Sequence, residues 1–199
     1  MTLRKPAITD QVRPAPFDER DGVMARDDQG RYVIAWTRHL AHSPARVWRA
    51  ITEQSEVRVW ARGTWQFEPC VGGSMQLCLD NSLPASERVV DPGVVTIYEP
   101  PHLLEFRVGA YAGDSEQDGE HIIQWSVQPE ASGCVLGFSD TFAPGRRARN
   151  AIVCGWQYML DQLELELSPA GADWSTRDSE MERIYWRYRK MQRPEHWTH

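Results

Sequence analysis

The sequence has no long hydrophobic run. Its 199 residues are 41% hydrophobic, yet no apolar stretch approaches the length of about 20 residues that a membrane-spanning helix needs. Residues 1–8 also lack the apolar centre of a secretory signal peptide. We therefore expect a cytoplasmic protein with no membrane partner.

Basic residues are also fewer than acidic ones. The chain has 22 Lys and Arg residues against 28 Asp and Glu residues, which gives a formal net charge of −6 at pH 7. Domains that bind nucleic acid are normally basic, because they must neutralise phosphates. The composition therefore argues against a nucleic-acid partner.

Cysteine is scarce, and its spacing is not that of a metal or redox site. The four cysteines are Cys70, Cys78, Cys134 and Cys154, and they form no Cys-x-x-Cys pair. Each lies in an apolar context typical of a strand or a helix. This pattern predicts buried, reduced thiols in a cytosolic protein.

The chain also lacks the short motifs that carry known chemistry. It contains no Gly-x-Ser-x-Gly, no phosphate-binding glycine loop and no His-Glu-x-x-His. The pairs His39 with His42 and His196 with His199 have no further ligands beside them, so we predict no metal site. By the same reasoning we predict no cofactor and assign no catalytic residue.

What the chain does contain is one long helical pattern, at residues 146–167. Its apolar residues recur at steps of three and four, as on one face of a helix. A stripe of this length must be buried against a large surface. We expect the first half of the helix to border a cavity and the second half to close the core. The stripe consists of Val153, Trp156, Leu160, Leu163 and Leu167.

The residues before this helix predict an antiparallel sheet. A hairpin around a turn at residues 27–30 comes first, and two short helices follow, the first beginning at Ser43-Pro44. Apolar and polar residues then alternate through strands with tight turns, which favours an antiparallel meander. The predicted fold class is α+β, with a curved antiparallel sheet wrapped around the long helix.

The two ends of the sequence differ from this central part. Residues 1–20 are polar and contain several prolines, so we expect a flexible N-terminal arm. Residues 21–168 form the predicted domain, and residues 169–199 form a C-terminal extension with an amphipathic helix at about 176–191. Two partners fit the apolar face of that helix: its own domain, or another protein such as a second copy of the chain. That face carries Met181, Ile184, Tyr185 and Tyr188.

Nine tryptophans predict large apolar volumes or a pocket lined by aromatic rings. A twisted sheet curled around one helix leaves a space of the kind where small ligands bind. We therefore predict that a small hydrophobic or aromatic molecule binds between the sheet and the long helix. The predicted ligand-binding residues are Trp60, Trp65, Phe67, Met75, Tyr98, Gln124, Ser139 and Trp156.

The polar members of this set, Gln124 and Ser139, alternate with apolar neighbours along their strands. In a pocket they would orient the ligand, because burying an unpaired polar group costs free energy. The alternative is that they face solvent on the convex side of the sheet. Alternation alone does not decide between the two faces.

Several stretches together resemble the START-like superfamily, in the branch of proteins similar to the activator of Hsp90 ATPase. The resemblance covers residues 22–167 and implies a helix-grip fold. Relatives often carry His-Thr at the end of the last strand, whereas this chain has Asp140-Thr141, which changes the polarity of the cavity or lies at a solvated strand end. The resemblance rests on residues 43–52 with their Pro and Val-Trp, Trp60, Gly72-Gly73 with Met75, Tyr98-Glu-Pro-Pro-His-Leu-Leu-Glu-Phe106, and Gly155-Trp156.

The resemblance leaves three functions open, because the superfamily is functionally diverse. The first, which we rank highest, is binding of the small ligand. The second is a protein-interaction module resembling a chaperone ATPase activator, with the helix at 176–191 or the acidic loop at 113–120 as the contact. The third is a cavity enzyme of the cyclase or hydrolase type acting on an aromatic substrate, with Asp140, His102 or His121 as acid or base.

Overall fold

The computed structural model describes residues 19–61, 63–78, 90–109, 120–143 and 148–191. Three of the predictions above fall largely outside these ranges. They are the N-terminal arm, the acidic loop and the first two residues of the long helix.

The described residues form one antiparallel sheet of eight strands in the order β1-β2-β8-β7-β6-β5-β4-β3. Strands that follow each other in the chain therefore pair, with the exception of β2 and β3. The place beside β2 is taken by β8. Tyr32 at one end of β2 pairs with Phe142, and Leu40 at the other end pairs with Cys134. The strands are β1 (Val23–Arg26), β2 (Tyr32–Leu40), β3 (Thr64–Phe67), β4 (Ser74–Cys78), β5 (Asp91–Glu99), β6 (Leu103–Val108), β7 (His121–Glu130) and β8 (Gly133–Phe142).

Four helices accompany the sheet within the described ranges: α1 (Pro44–Thr52), α2 (Gln54–Ala61), α3 (Ala148–Leu167) and α4 (Arg177–Met191). The start of α1 is the predicted one. The Ser43 hydroxyl accepts a hydrogen bond from the backbone N–H of Arg46, and Pro44 stands in the first turn. Together with the sheet, these helices confirm the α+β class and the helix-grip arrangement.

The core lies between one face of the sheet and the helices α1, α2 and α3. Along β7 and β8, buried residues alternate with half-buried ones, so a single face of the sheet is covered. The apolar stripe predicted for α3 is buried against that face. Burial of such side chains contributes roughly 1.5–3 kcal/mol each, which explains why the long stripe fixes the helix on the sheet.

The helix α4 packs back onto its own domain. Ile184 and Tyr188 are buried in the same core as the α3 stripe. Tyr185, predicted for the same face, is instead exposed, beside the exposed Trp186. The buried face is therefore narrower than the sequence pattern indicates.

Tyr188 joins α4 to both the long helix and the start of the described chain. Its hydroxyl accepts a hydrogen bond from the Gly22 backbone N–H at 2.7 Å and donates one to Gln157 at 2.8 Å. Gln157 also accepts a hydrogen bond from the Trp36 indole N–H at 2.7 Å. Beside these contacts Arg187 lies 2.7 Å from Asp21. We call this group the terminal clasp.

The position of Gly22 within the terminal clasp admits no larger residue. A Cβ atom at this position would lie 2.4 Å from the Trp36 ring, which is closer than van der Waals contact allows. The Trp36 ring would have to move, and its hydrogen bond to Gln157 would move with it. Glycine therefore keeps the entering chain in contact with β2.

One cysteine prediction is wrong. Cys78, Cys134 and Cys154 are buried, as expected, but Cys70 is exposed. It lies in the turn of residues 68–73 between β3 and β4, at the end of which Gly72 and Gly73 lead the chain back into the sheet. The flanking Pro69, Gly72 and Gly73 are turn residues, and they outweigh the apolar character of Cys70 and Val71.

Candidate functional site

Aromatic side chains occupy the space between the sheet and α3. The rings of Trp125 and Phe138 have centroids 4.3 Å apart, as do those of Phe138 and Trp156. Trp60 meets Trp65 edge to face at 5.3 Å. All five side chains are at most 2% exposed. We call these five residues the aromatic cluster, and it lies where the sequence predicts a cavity.

Two members of the aromatic cluster hold the end of α1. The Trp60 indole N–H donates to the Ala50 carbonyl at 2.9 Å, and that of Trp65 donates to the Ile51 carbonyl at 2.8 Å. Both carbonyls belong to the last turn of α1, where backbone oxygens have no partner within the helix. The two indoles therefore satisfy the end of α1 and fix it against the cluster.

A third member, Trp125, differs from them. Its side chain is fully buried, and its indole nitrogen has no hydrogen-bond partner within the described ranges. A buried donor left without an acceptor costs about 1–3 kcal/mol. The centre of the cluster thus carries an unsatisfied polar atom.

Asp140 forms a buried polar contact at the edge of the aromatic cluster. One carboxylate oxygen lies 2.8 Å from Nδ1 of His121, and the other accepts a hydrogen bond from the Trp156 indole N–H at 3.0 Å. The His121 ring stacks on Phe142 with centroids 5.1 Å apart. Asp140 is fully buried, so the solvated-strand-end interpretation of this position is wrong. Its partners on β7 and α3 satisfy the carboxylate, as a buried charge requires.

An open cleft of about 700 Å³ lies beside the aromatic cluster. It is bounded by α1, the junction of α1 with α2, β3 and the turn between β5 and β6. Its volume falls within the range of about 300–1,000 Å³ that small-molecule sites occupy. Its described lining consists of Ala45, Trp48, Trp65, Phe67, Pro69, Tyr98 and Pro101, with the polar residues Arg49, Thr52, Glu53, Gln54 and Gln66.

The aromatic residues of the cleft form a continuous wall. The Tyr98 ring lies 6.1 Å from the Trp48 ring and 6.0 Å from the Phe67 ring, measured between centroids. Trp65 belongs both to this wall and to the aromatic cluster. The wall is therefore rigidly supported from the interior of the protein.

Three predicted site residues, Trp65, Phe67 and Tyr98, come together in this cleft. Three others, Trp60, Met75 and Trp156, lie in the core behind it and are at most 2% exposed. The two tryptophans reach the cleft through Trp65, which lies 5.3 Å from Trp60 and 6.4 Å from Trp156 between ring centroids. Met75 pairs with Phe67 across β3 and β4.

The two polar predictions lie elsewhere. Gln124 and Ser139 pair across β7 and β8, on the face of the sheet opposite the core. There Gln124 donates a hydrogen bond to Glu105 at 2.7 Å, and Thr96 donates one to the same carboxylate at 2.9 Å. The structure does not bring Gln124 and Ser139 together with the aromatic residues of the site.

Sequence reasoning missed two cleft residues that the structure brings forward. In a helix that begins at Ser43-Pro44, Trp48 falls on the same face as Val47 and Ile51, and this pattern gives no sign that the residue also borders an opening. Gln54 gave no signal at all, because a polar residue between two short helices is normally solvated. Its side-chain nitrogen is instead buried and has no hydrogen-bond partner in the part of the chain that the structure describes.

Most of the charge near the cleft is already paired. Arg49 donates a hydrogen bond to Glu56 at 2.7 Å, and Arg46 forms an ion pair with the same carboxylate. The Glu56 carboxylate beside Arg49 raises the pKa of that guanidinium. The cationic group on the cleft wall is therefore held by a carboxylate of its own protein.

A family model matches residues 41–168, which is more than half of the chain. Its description is Activator of Hsp90 ATPase homolog 1-like protein. This chain belongs to that family. The resemblance in the sequence is thereby confirmed. Among curated proteins, none matches the chain.

Solved structures share the fold of this member of the Activator of Hsp90 ATPase homolog 1-like family. CalU16 from Micromonospora echinospora has a TM-score of 0.62 at 16% identity, over 84% of this chain and 93% of its own. A conserved protein of unknown function from Enterococcus faecalis has a TM-score of 0.61 at 16% identity, over 86% and 92%. A Mesorhizobium loti protein reaches 0.57 at 23% identity, over 68% and 95%. At these identities the similarity shows the fold alone.

Two further features are absent from the described ranges. No helix there is both long enough and apolar enough to cross a membrane. Nor do three or more His, Cys, Asp or Glu side chains of the described residues come together as a metal site needs. Of the paired histidines in the sequence, His39 has its Nδ1 atom 3.1 Å from a carboxylate oxygen of Glu130.

Proposed function

We propose that this protein binds a small hydrophobic aromatic molecule in the cleft between α1, β3 and the turn from β5 to β6. The observation that carries the proposal is the aromatic wall of Trp48, Trp65, Phe67 and Tyr98 around a space of about 700 Å³. Aromatic pairs contribute about 0.5–1.5 kcal/mol each beyond the area that they bury. A flat ring entering the cleft would gain such contacts on more than one side.

The membership of the Activator of Hsp90 ATPase homolog 1-like family supports this proposal through the fold, which is of the START-like, ligand-binding kind. In the proposal, Trp60 and Trp156 pack behind Trp65 and hold its ring in place. Met75 supports Phe67, with which it pairs from the neighbouring strand β4. Gln124 and Ser139 take no part, because they lie on the other face of the sheet.

The enzymatic alternative has less support. Its three candidate acids or bases are Asp140, His121 and His102, and none of them is among the described lining residues of the cleft. Asp140 and His121 are fully buried and engaged with each other, and His102 is exposed.

The interaction alternative stays a prediction. Part of the predicted contact face on α4, Ile184 and Tyr188, is packed in the protein's own core. The other predicted contact, the acidic loop, lies largely outside the described residues.

A fluorescence titration with phenylnaphthylamine tests the proposal, because this neutral aromatic probe brightens in apolar surroundings. We expect saturable binding to the native protein. Tyr98→Ala should weaken binding by about tenfold, which corresponds to about 1.4 kcal/mol, because it removes the ring that joins Trp48 to Phe67.

The matched control is Tyr185→Ala, which removes the same kind of ring from the exposed face of α4. It should leave the dissociation constant unchanged. Circular dichroism would verify that both variants are folded. Absence of saturable binding, or equal weakening by the two substitutions, would overturn the proposal.

A further inference from the structure

The side chain of Gln54 is the one polar group of the described cleft lining whose nitrogen is both buried and without a partner. Gln54 is the first residue of α2, directly after Glu53, whose backbone N–H closes the end of α1 on the Arg49 carbonyl. A carboxamide nitrogen carries two N–H donors. In Gln54 neither of them has an acceptor among the described residues.

Other polar groups on the same wall already have partners. The Thr52 hydroxyl donates to the Trp48 carbonyl at 2.7 Å. Arg49 is bound by Glu56 at 2.7 Å. A ligand that enters the cleft therefore meets engaged groups at Thr52 and Arg49 and a free donor at Gln54.

The charges around the cleft restrict what kind of acceptor fits. The guanidinium of Arg49 is paired with Glu56, and the lining also contains the carboxylate of Glu53. An anionic ligand would be repelled by Glu53 and would have to compete with Glu56 for Arg49. A neutral acceptor, such as a carbonyl oxygen, meets neither cost and still accepts a hydrogen bond from an amide N–H.

We propose, building on the function above, that Gln54 is the polar recognition group of the cleft and that its ligand is a neutral aromatic compound with a carbonyl oxygen. The aromatic part lies against Trp48, Phe67 and Tyr98, and the carbonyl oxygen accepts a hydrogen bond from the Gln54 amide. The terminal torsion of a glutamine side chain is broad, so the buried amide can turn toward the cleft without moving the helix.

Two fluorescent probes of similar size separate this inference from the function on which it rests. Prodan is a neutral naphthalene with a propionyl ketone, whereas phenylnaphthylamine has aromatic rings and no carbonyl group. Prodan emission also shifts to longer wavelength when its ketone accepts a hydrogen bond. We expect the native protein to bind both probes and to shift the emission of prodan in this way.

The decisive variant is Gln54→Met, which keeps an unbranched side chain of similar length and removes both donors. It should weaken prodan binding by about tenfold and abolish the emission shift, while phenylnaphthylamine binds as before. Gln54→Glu should also weaken prodan binding, since a carboxylate has no donor for the ketone. Gln76→Met, at an exposed glutamine of β4 outside the described cleft lining, is the matched control and should change neither probe.

The outcomes distinguish the two proposals. If the native protein binds both probes and Gln54→Met weakens the binding of both equally, the role of Gln54 is overturned. The same holds if the substitution weakens the binding of neither probe. In both cases aromatic binding in the cleft stands. If neither probe binds the native protein, both proposals are overturned.

Discussion

Trp60 and Trp125 are both fully buried members of the aromatic cluster, yet their indole nitrogens have different surroundings. The Trp60 N–H donates to the carbonyl of Ala50, whereas the Trp125 N–H has no acceptor among the residues that the structure describes. Side-chain volume and burial are therefore nearly matched, and one hydrogen bond distinguishes the two positions. At the scale of single residues this difference can be measured.

We expect Trp60→Phe to destabilise the protein more than Trp125→Phe, by about 1 kcal/mol. Both substitutions remove part of a buried ring system. Only Trp60→Phe also leaves a carbonyl at the end of α1 without its donor, whereas Trp125→Phe removes a donor that had no partner. Urea unfolding of the two variants, followed by circular dichroism, would measure the difference. An equal or larger loss at position 125 would contradict the hydrogen-bond argument.

The same scale shows why the site was only partly predictable from the sequence. The aromatic residues Trp65, Phe67 and Tyr98 were predictable, because large rings in alternating strands collect on a covered face. Gln124 was not, because alternation shows which residues share a face but not which face the helix covers. Gln54 was missed because its isolation depends on side chains that are distant in sequence.

At the scale of elements, start and stop signals placed the helices well and the strands less well. Ser43-Pro44 marks the observed start of α1 because the cap is a local interaction. Pro92 is typical of a loop, yet β5 begins at Asp91, and Pro92 is paired opposite Gln76 of β4. Proline indicates a loop from local sequence, but it is tolerated where its missing N–H is not needed.

The attachment of α4 depends strongly on one hydroxyl group. We expect Tyr188→Phe to lower the free energy of unfolding by about 1–3 kcal/mol, because it removes the acceptor of the Gly22 N–H and a donor to Gln157. Urea unfolding provides the measurement. The control Tyr185→Phe, on the exposed side of the same helix, should change stability by less than about 0.5 kcal/mol. Equal effects would mean that the terminal clasp contributes little.

At the scale of the whole molecule, the sequence predicted the architecture because many weak signals agreed. The helix stripe, the hairpin turns and the order of strands each permit several folds, but together they allow few. The family match begins at Ala41, after β2, although β2 pairs with β8 along its length. The first hairpin is thus an integral part of the sheet even though it precedes the matched region.

The packing of the whole molecule also sets the reactivity of its thiols. Cys70 is exposed, while Cys78, Cys134 and Cys154 are buried, and burial raises the pKa of the Cys154 thiol to about 11 against the opposing effect of Arg187. Since the thiolate is the reactive form, we expect one fast reaction with Ellman's reagent at about pH 8 in the native protein. Cys70→Ser should remove it, and all four wild-type thiols should react in denaturant. Two fast thiols in the native wild type would contradict the buried placement of the others.

The terminal clasp has a consequence for the order in which the protein is made. Gly22 and its hydrogen-bond partner Tyr188 are 166 residues apart, so at roughly 5–20 residues per second a ribosome needs roughly 8–33 s to produce the second after the first. Until β8 is made, β2 has no neighbour on its open side, and until α4 is made the terminal clasp around Trp36 cannot close. Translation of α4 is therefore the event that allows this protein to finish folding.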